Sequence, residues 1–221
     1  MLGAAKGKRF RPSEEADKGH NPYFLKHTIA VTDILIAARL LSERVPAVRL
    51  THMYTERELK WKIPVQIAER IGEGQTRLRT RYLEPDAGLL FRMTETWHEE
   101  PETWEDFFFI EVYRNLPPVE WRFKQKVQGY VSTVDTGQHA ALFQTPALSI
   151  AVLASSEQMA ATLKRWTEET LQEMERPAEG EWFFFSSLDT ASASPEELFL
   201  SPVWETAFGN TKTPLLVLQN V

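Results

Sequence analysis

Hydrophobic positions change their spacing several times along the chain. From Thr28 to about Arg44 the spacing is helical, with Ala, Leu and Ile spread nearly all round, which predicts a helix buried on most sides and ended by Pro46. VRLTHMY alternates and reads as a strand. Residues 56–71 read as a helix broken at Pro64. Three strands are predicted next, around 77–83, 88–93 and 106–113, with the last two separated by the charged turn EPETWED. Pro117-Pro118 opens a helix from about Val119 to Val134, because proline suits the first helical turn. ALSIAVLA (147–154) is nearly continuous in its apolar character, as in a strand covered on both faces. Ser155 or Ser156 then caps a helix to about Glu175. EWFFFSSL reads as a further strand, and Ser194-Pro195-Glu196-Glu197 starts a last short helix.

Helices interleaved with central strands predict an α/β fold, a mixed central sheet flanked by helices. Residues 1–22, polar and broken by Pro12, Gly19 and Pro22, read as a flexible tail or linker, leaving 23–221 as one domain.

Composition narrows the function classes. The longest apolar stretch, HTIAVTDILIAARLL, is interrupted by Asp33 and Arg39, so no membrane span is predicted. The first residues lack the apolar segment of a secretion signal. The absence of cysteine removes disulfides and thiolate zinc sites and fits a cytoplasmic protein. A formal charge of −6 means that any hold on nucleic acid must come from local patches, a metal ion or a partner. Such patches are KGKRFR near the start, RTR at 79–81, and Arg122, Lys124 and Lys126; a solvated face is the alternative reading of each. There is no Gly-rich phosphate loop, no G-x-S-x-G and no metal-binding histidine pair. His52 and His98 read as structural or surface residues. Asp33 reads as a favourable charge near a helix N-terminus. Trp104, Trp121, Trp166, Trp182 and Trp204 read as core.

Candidate chemistry centres on carboxylates. The apolar run Phe107–Ile110 ends on a single Glu111, and Glu84-Pro85-Asp86 precedes the strand AGLLFRM. If these strands are neighbours, Asp86 and Glu111 converge at one end of the sheet. Two carboxylates and a backbone carbonyl can hold Mg²⁺, which polarises a phosphodiester and lowers the pKa of a bound water. A nearby lysine would stabilise the developing charge. A turn at Pro85-Asp86 and an edge-strand charge at Glu111 are the alternatives.

The PD dipeptide, a strand ending in an acid, and the frame of helix, three strands, helix and strand resemble the PD-(D/E)XK nuclease superfamily. The resemblance implies a restriction-endonuclease-like core with Asp86 and Glu111 as catalytic and metal-binding residues. Tyr113 stands where the lysine usually lies, and Lys126 or Lys124 on the following helix could replace it. Lys126 to Tyr130 is an echo of a Q-x-x-x-Y motif found in one branch.

A closer resemblance covers residues 27 to about 206. HTIAVTD (27–33), PDA (85–87), EVYRNL (111–116) and KVQGY (126–130), with SIAVLASSEQMAATLKRW and WFFFSSLD, are similar to the replication-relaxation family of plasmids and other mobile elements. This implies DNA as partner, with Lys126 catalytic beside Asp86 and Glu111, and Arg114, Arg122 and Lys124 on nucleic acid. It implies replication, relaxation or transposition as the process, by a core that is a metal-dependent endonuclease or a degenerate one. The alternative is a non-catalytic subunit that binds a protein partner from the same element. Tyr113 and Asn115-Leu116 depart from the family's D-R-G-T character and leave one carboxylate fewer. The residues ahead of His27 are too few for the family's usual upstream winged helix-turn-helix domain.

Overall fold

The computed structural model describes residues 22–72, 75–95, 101–114 and 117–218. The tail reading of 1–22, Pro22 apart, and the readings of KGKRFR, His98 and Asn115-Leu116 fall outside these residues.

Helix α1 (Pro22–Arg44) leads into β1 (Val48–Thr55) and the short α2 (Glu56–Leu59). A ribbon follows, β2 (Ile63–Gly72) and β3 (Gln75–Leu83), then β4 (Ala87–Glu95) and β5 (Glu102–Tyr113). Helices α3 (Glu120–Asp135) and α4 (Gln138–Phe143) precede β6 (Ser149–Ala154) and α5 (Glu157–Glu173). A 3₁₀ turn (Pro177–Trp182) then leads to β7 (Phe183–Ser186), α6 (Pro195–Leu200), β8 (Trp204–Thr206) and β9 (Lys212–Thr213).

Seven of the described strands form one mixed sheet in the order β1-β4-β5-β6-β7-β8-β9. β1, β4 and β5 are antiparallel, whereas β5, β6 and β7 run parallel. The fold is therefore the expected α/β class. Strand alternation along β5 divides the core. Phe107 and Phe109 pack with Val127, Tyr130 and Phe143 under α3 and α4. Phe108, Ile110 and Val112 pack on the other face with Ala30, Ile34 and Leu41 of α1 and Phe199 of α6. This parity sends Glu111 toward α3.

Four expectations need correction. The predicted helix over 56–71 is one short helical turn followed by β2. Ile63, Val65 and Ile67 are buried at period two, which is strand spacing for β-branched residues. Pro64 is tolerated because both strands of a two-stranded ribbon are edges. The charged turn before 106 is shorter than expected, since β5 starts at Glu102 and is held by cross-strand pairs such as Arg92–Glu105 at 2.6 Å. Helix α1 is buried on one side only, leaving Leu25, Ile29 and Ile36 exposed, because it lies in the outer layer. Trp121 also faces solvent, whereas Trp166 and Trp204 are in the core.

Candidate functional site

Adjacent strands bring the two carboxylates together. β4 and β5 pair so that Ala87 lies opposite Ile110, and the Asp86 amide donates to the Ile110 carbonyl at 3.0 Å. Asp86 therefore enters the sheet at the end of β4 that lies alongside Ile110 and Glu111.

Glu111 is 2% exposed although it is ionisable. Three donor contacts compensate its burial. Lys126 Nζ donates to both carboxylate oxygens, at 2.7 and 2.6 Å, and the Tyr130 hydroxyl donates to Oε1 at 2.5 Å. Lys126 also donates to the Glu84 carbonyl at 3.1 Å, which ties α3 to the turn before β4. Helical spacing explains the arrangement: Lys126 and Tyr130 are four residues apart, so both project from one face of α3.

The electrostatics agree with a closed cluster. Burial pushes the Glu111 carboxyl upward, Lys126 pulls it back, and Asp86 adds to the rise. Burial alone would lower Lys126, but the Glu111 and Asp86 charges outweigh it and hold the lysine above its ordinary value. Burial, then Glu111, pushes the Tyr113 and Tyr130 phenols up, so both stay protonated and can donate. An ammonium so held is neither a base nor a nucleophile at neutral pH. The space bounded by Glu111, Tyr113, Phe123, Lys126, Tyr130 and Phe183 has no room for a water molecule.

The second carboxylate is engaged on its other side. Asp86 Oδ2 accepts from the Val112 amide at 2.7 Å, and Oδ1 lies 3.3 Å from His27 Nε2. The other ring nitrogen of His27 lies 3.1 Å from the Val112 carbonyl. Both partners of the imidazole are thus acceptors, and only the doubly protonated ring can donate to both. The hydrogen bond to Asp86 accordingly raises the His27 pKa, against a lowering by burial. His27 was missed in the sequence because a lone histidine at a helix start has no partner in view. Its place at the head of HTIAVTD was the available signal.

The remaining candidates are placed elsewhere. Lys124 is bound to Glu169 at 2.8 Å and Glu120 at 3.0 Å. Arg114 ties the end of β5 to the segment after β7, through Asp189 at 3.3 Å, the Leu188 carbonyl at 3.2 Å and Thr190 at 3.3 Å. Arg122 is exposed with its guanidinium 5.3 Å from the Trp121 ring. Asp33, midway along α1, accepts from Thr190 at 3.4 Å and so is not a helix-start charge.

Comparison with known proteins finds no matching family model, no matching curated protein and no matching solved structure.

As a donor set for Mg²⁺, the cluster does not fit. Both oxygens of Glu111 and both of Asp86 already have partners, and their lone pairs face an ammonium, a phenol, an amide and an imidazole ring. A divalent ion would have to displace Lys126, a cation already in the place it would take. Among the described residues no three His, Cys, Asp or Glu side chains group to hold a metal. Nor is any described helix long and apolar enough to cross a membrane.

Proposed function

We propose that this chain is a DNA-associated protein of a plasmid or other mobile element, built on a nuclease-like core that does not cut. The order helix, three strands, helix, strand, with Lys126 on Glu111 and with Asp86 at the same end of the sheet, supports the nuclease-like frame. The observation that carries the loss of cutting is the Lys126 ammonium seated across both oxygens of Glu111. With Tyr130 as a third donor and no water space beside them, the carboxylate can neither activate a water nor hold a hard cation. The cluster then acts as a structural knot joining β4, β5 and α3, and DNA contact falls to the surface. The process it serves is replication, relaxation or transposition of the element.

A direct test is binding of the whole chain to a labelled DNA duplex across a range of salt concentrations. Binding should weaken steeply as salt rises, since phosphate contacts release counterions. Absence of binding at low salt would remove DNA from the account. One observation favours a second reading, a protein-binding subunit on the same fold. Leu25, Ile29 and Ile36 are exposed at positions that share one face of α1, an apolar stripe suited to a partner from the same element. Under that reading, binding to DNA is absent or insensitive to salt.

A further inference from the structure

The parallel strands β5 and β6 end side by side, with Tyr113 opposite Ala154. The Ser155 amide, just past β6, donates to the Tyr113 carbonyl at 2.9 Å. Arg114 and Ser155 are therefore neighbours at the carboxyl end of the sheet. Crevices outside the carboxyl ends of parallel strands are where α/β folds hold small ligands. Here such a crevice is a pocket of about 430 Å³ between α5 and Pro117-Pro118.

Its walls have two characters. Pro117, Pro118 and Met159 are apolar, and Met159, Thr162 and Trp166 recur at helical spacing, so the pocket follows one face of α5. The polar part is Arg114 with the hydroxyls of Ser155, Ser156 and Thr162. Ser156 is the N-cap of α5, a helix of 17 residues, and its side chain accepts from the Met159 amide at 3.2 Å. The pocket thus lies at the positive end of a long helix dipole. Among the described residues that line it there is no aspartate or glutamate. Acids close by face other cavities. Glu157 lines the cleft between α5 and β7, and Asp33 and Asp189 line a separate pocket that shares Arg114.

Two buried donors on the walls of this pocket have no partner. Arg114 uses Nη1 and Nη2 on Asp189, the Leu188 carbonyl and Thr190, which fixes the guanidinium and leaves its Nε unpaired. Trp166 is 8% exposed, and its Nε1, which can only donate, is unpaired as well. Buried N–H groups nearly always have an acceptor. A cation, a helix start, hydroxyls and two unpaired N–H groups together call for an anion. Donors on a strand end, a helix start and the third turn of that helix suit the three oxygens of a phosphate monoester better than the two of a carboxylate.

We infer that this pocket binds an organic phosphate monoester, with the phosphate at Arg114 and the start of α5 and the organic part against Pro117, Pro118 and Met159. The assignment goes beyond the association with DNA and stands whether or not the chain binds a duplex. A free ester and the 5′ end of a nucleic-acid strand present the same group, and the test separates them.

The experiment follows the indole N–H signals of the full ¹⁵N-labelled chain by NMR as phenyl phosphate is added. The Trp166 signal is the one missing from W166F. It should move saturably, with a Kd below about 1 mM. Inorganic phosphate, which lacks the organic part, should move it more weakly, and benzyl alcohol, which lacks the charge, should leave it in place. R114Q should weaken phenyl phosphate by about tenfold or more. Arg114 also ties β5 to the segment after β7, so a second pair of variants covers the case in which R114Q does not fold. S155E places a carboxylate at an exposed position of the pocket and should abolish binding. S155Q should stay within about threefold of the wild type. Thermal unfolding checks that each variant is folded. A wild type without saturable movement, or an S155E protein that binds as well as S155Q, overturns the site. Equal movement with benzyl alcohol overturns the anionic class, and tighter binding of phenylacetate overturns phosphate in favour of a carboxylate. If a short 5′-phosphorylated strand displaces phenyl phosphate and the unphosphorylated strand does not, the site stands with a strand end as its source. If neither displaces it, the site stands with a free ester as its source.

Discussion

Replacing Lys126 with methionine tests whether the buried knot holds the sheet end together. The substitution keeps most of the side-chain volume and removes the ammonium that contacts both Glu111 oxygens. Glu111 is then a carboxylate, 2% exposed, with Tyr130 as its remaining side-chain hydrogen-bond donor. Breaking a buried pair by removing one partner costs about 3–5 kcal/mol. The Lys126 side chain is 31% exposed, so water already screens part of the interaction and the lower end, about 3 kcal/mol, is expected. For a domain of this size that corresponds to a fall in Tm of about 6–12 °C. The deficit should depend on pH. Without the lysine, burial holds the Glu111 carboxyl even further above its unfolded value of about 4.3. A group whose pKa is raised on folding contributes stability at low pH that is lost as pH rises through the folded value. K126M should therefore lie closer to the wild type at pH ~5 than at pH ~8. Removing the charge as well, in E111Q/K126M, should restore most of the loss, with a coupling of about 2 kcal/mol. Denaturant unfolding of the wild type, K126M, E111Q and the double variant measures each value. A K126M protein within about 1 kcal/mol of wild type at both pH values would refute the reasoning.

Other expectations follow from neighbouring contacts. His27 has a raised pKa through Asp86, so its stabilisation is complete below its unfolded value of about 6.5 and is lost as pH rises through the folded value. Thermal unfolding between pH ~6 and ~9 should show the wild type falling toward an H27Q variant. Y130F removes the phenolic donor to a buried carboxylate and should cost about 1.5–3 kcal/mol in denaturant unfolding. At Gly129, an added Cβ would come within 2.8 Å of the Leu83 side chain, which is itself buried. Overpacking there should exceed the gain in helix propensity, so G129A should lose about 1 kcal/mol. The exposed Trp121 should tolerate alanine within about 0.5 kcal/mol in the same assay.

The central strands were legible because their apolar residues are dense and bounded by turn residues. Phe107–Ile110 and SIAVLA are each buried on both faces, a pattern that little else produces. Pro117-Pro118 lie just ahead of α3, outside its first turn, whereas Ser156 caps α5 with its side-chain oxygen accepting from the Met159 amide. Of the ribbon, β3 was legible as the strand expected around 77–83, but β2 was not, because a proline inside IPVQI argues against a helix and against a central strand alike, and only the pairing with β3 decides. The exposed side of α1 was misjudged because its outward Leu25, Ile29 and Ile36 are as apolar as its inward residues. At the site, Lys126 and Tyr130 share a face of α3 and both reach Glu111, whereas from the sequence Tyr130 appeared only as part of a motif echo. His27 and Asp86 are separated in sequence by most of α1 and by β1, α2, β2 and β3, so no local pattern could join them. Lys124 and Lys126 looked equivalent as charges. Two residues of helix turn one toward Glu169 and the other toward Glu111.

The central claim is that Lys126 and Tyr130 lock Glu111 so that the nuclease-like core does not cut. The most direct measurement is conversion of supercoiled plasmid to nicked and linear forms by the purified chain, with Mg²⁺ and then Mn²⁺. The account predicts no conversion with either ion, from a protein whose thermal unfolding shows it to be folded. Robust cleavage by the wild type that disappears in a folded E111Q variant would contradict it.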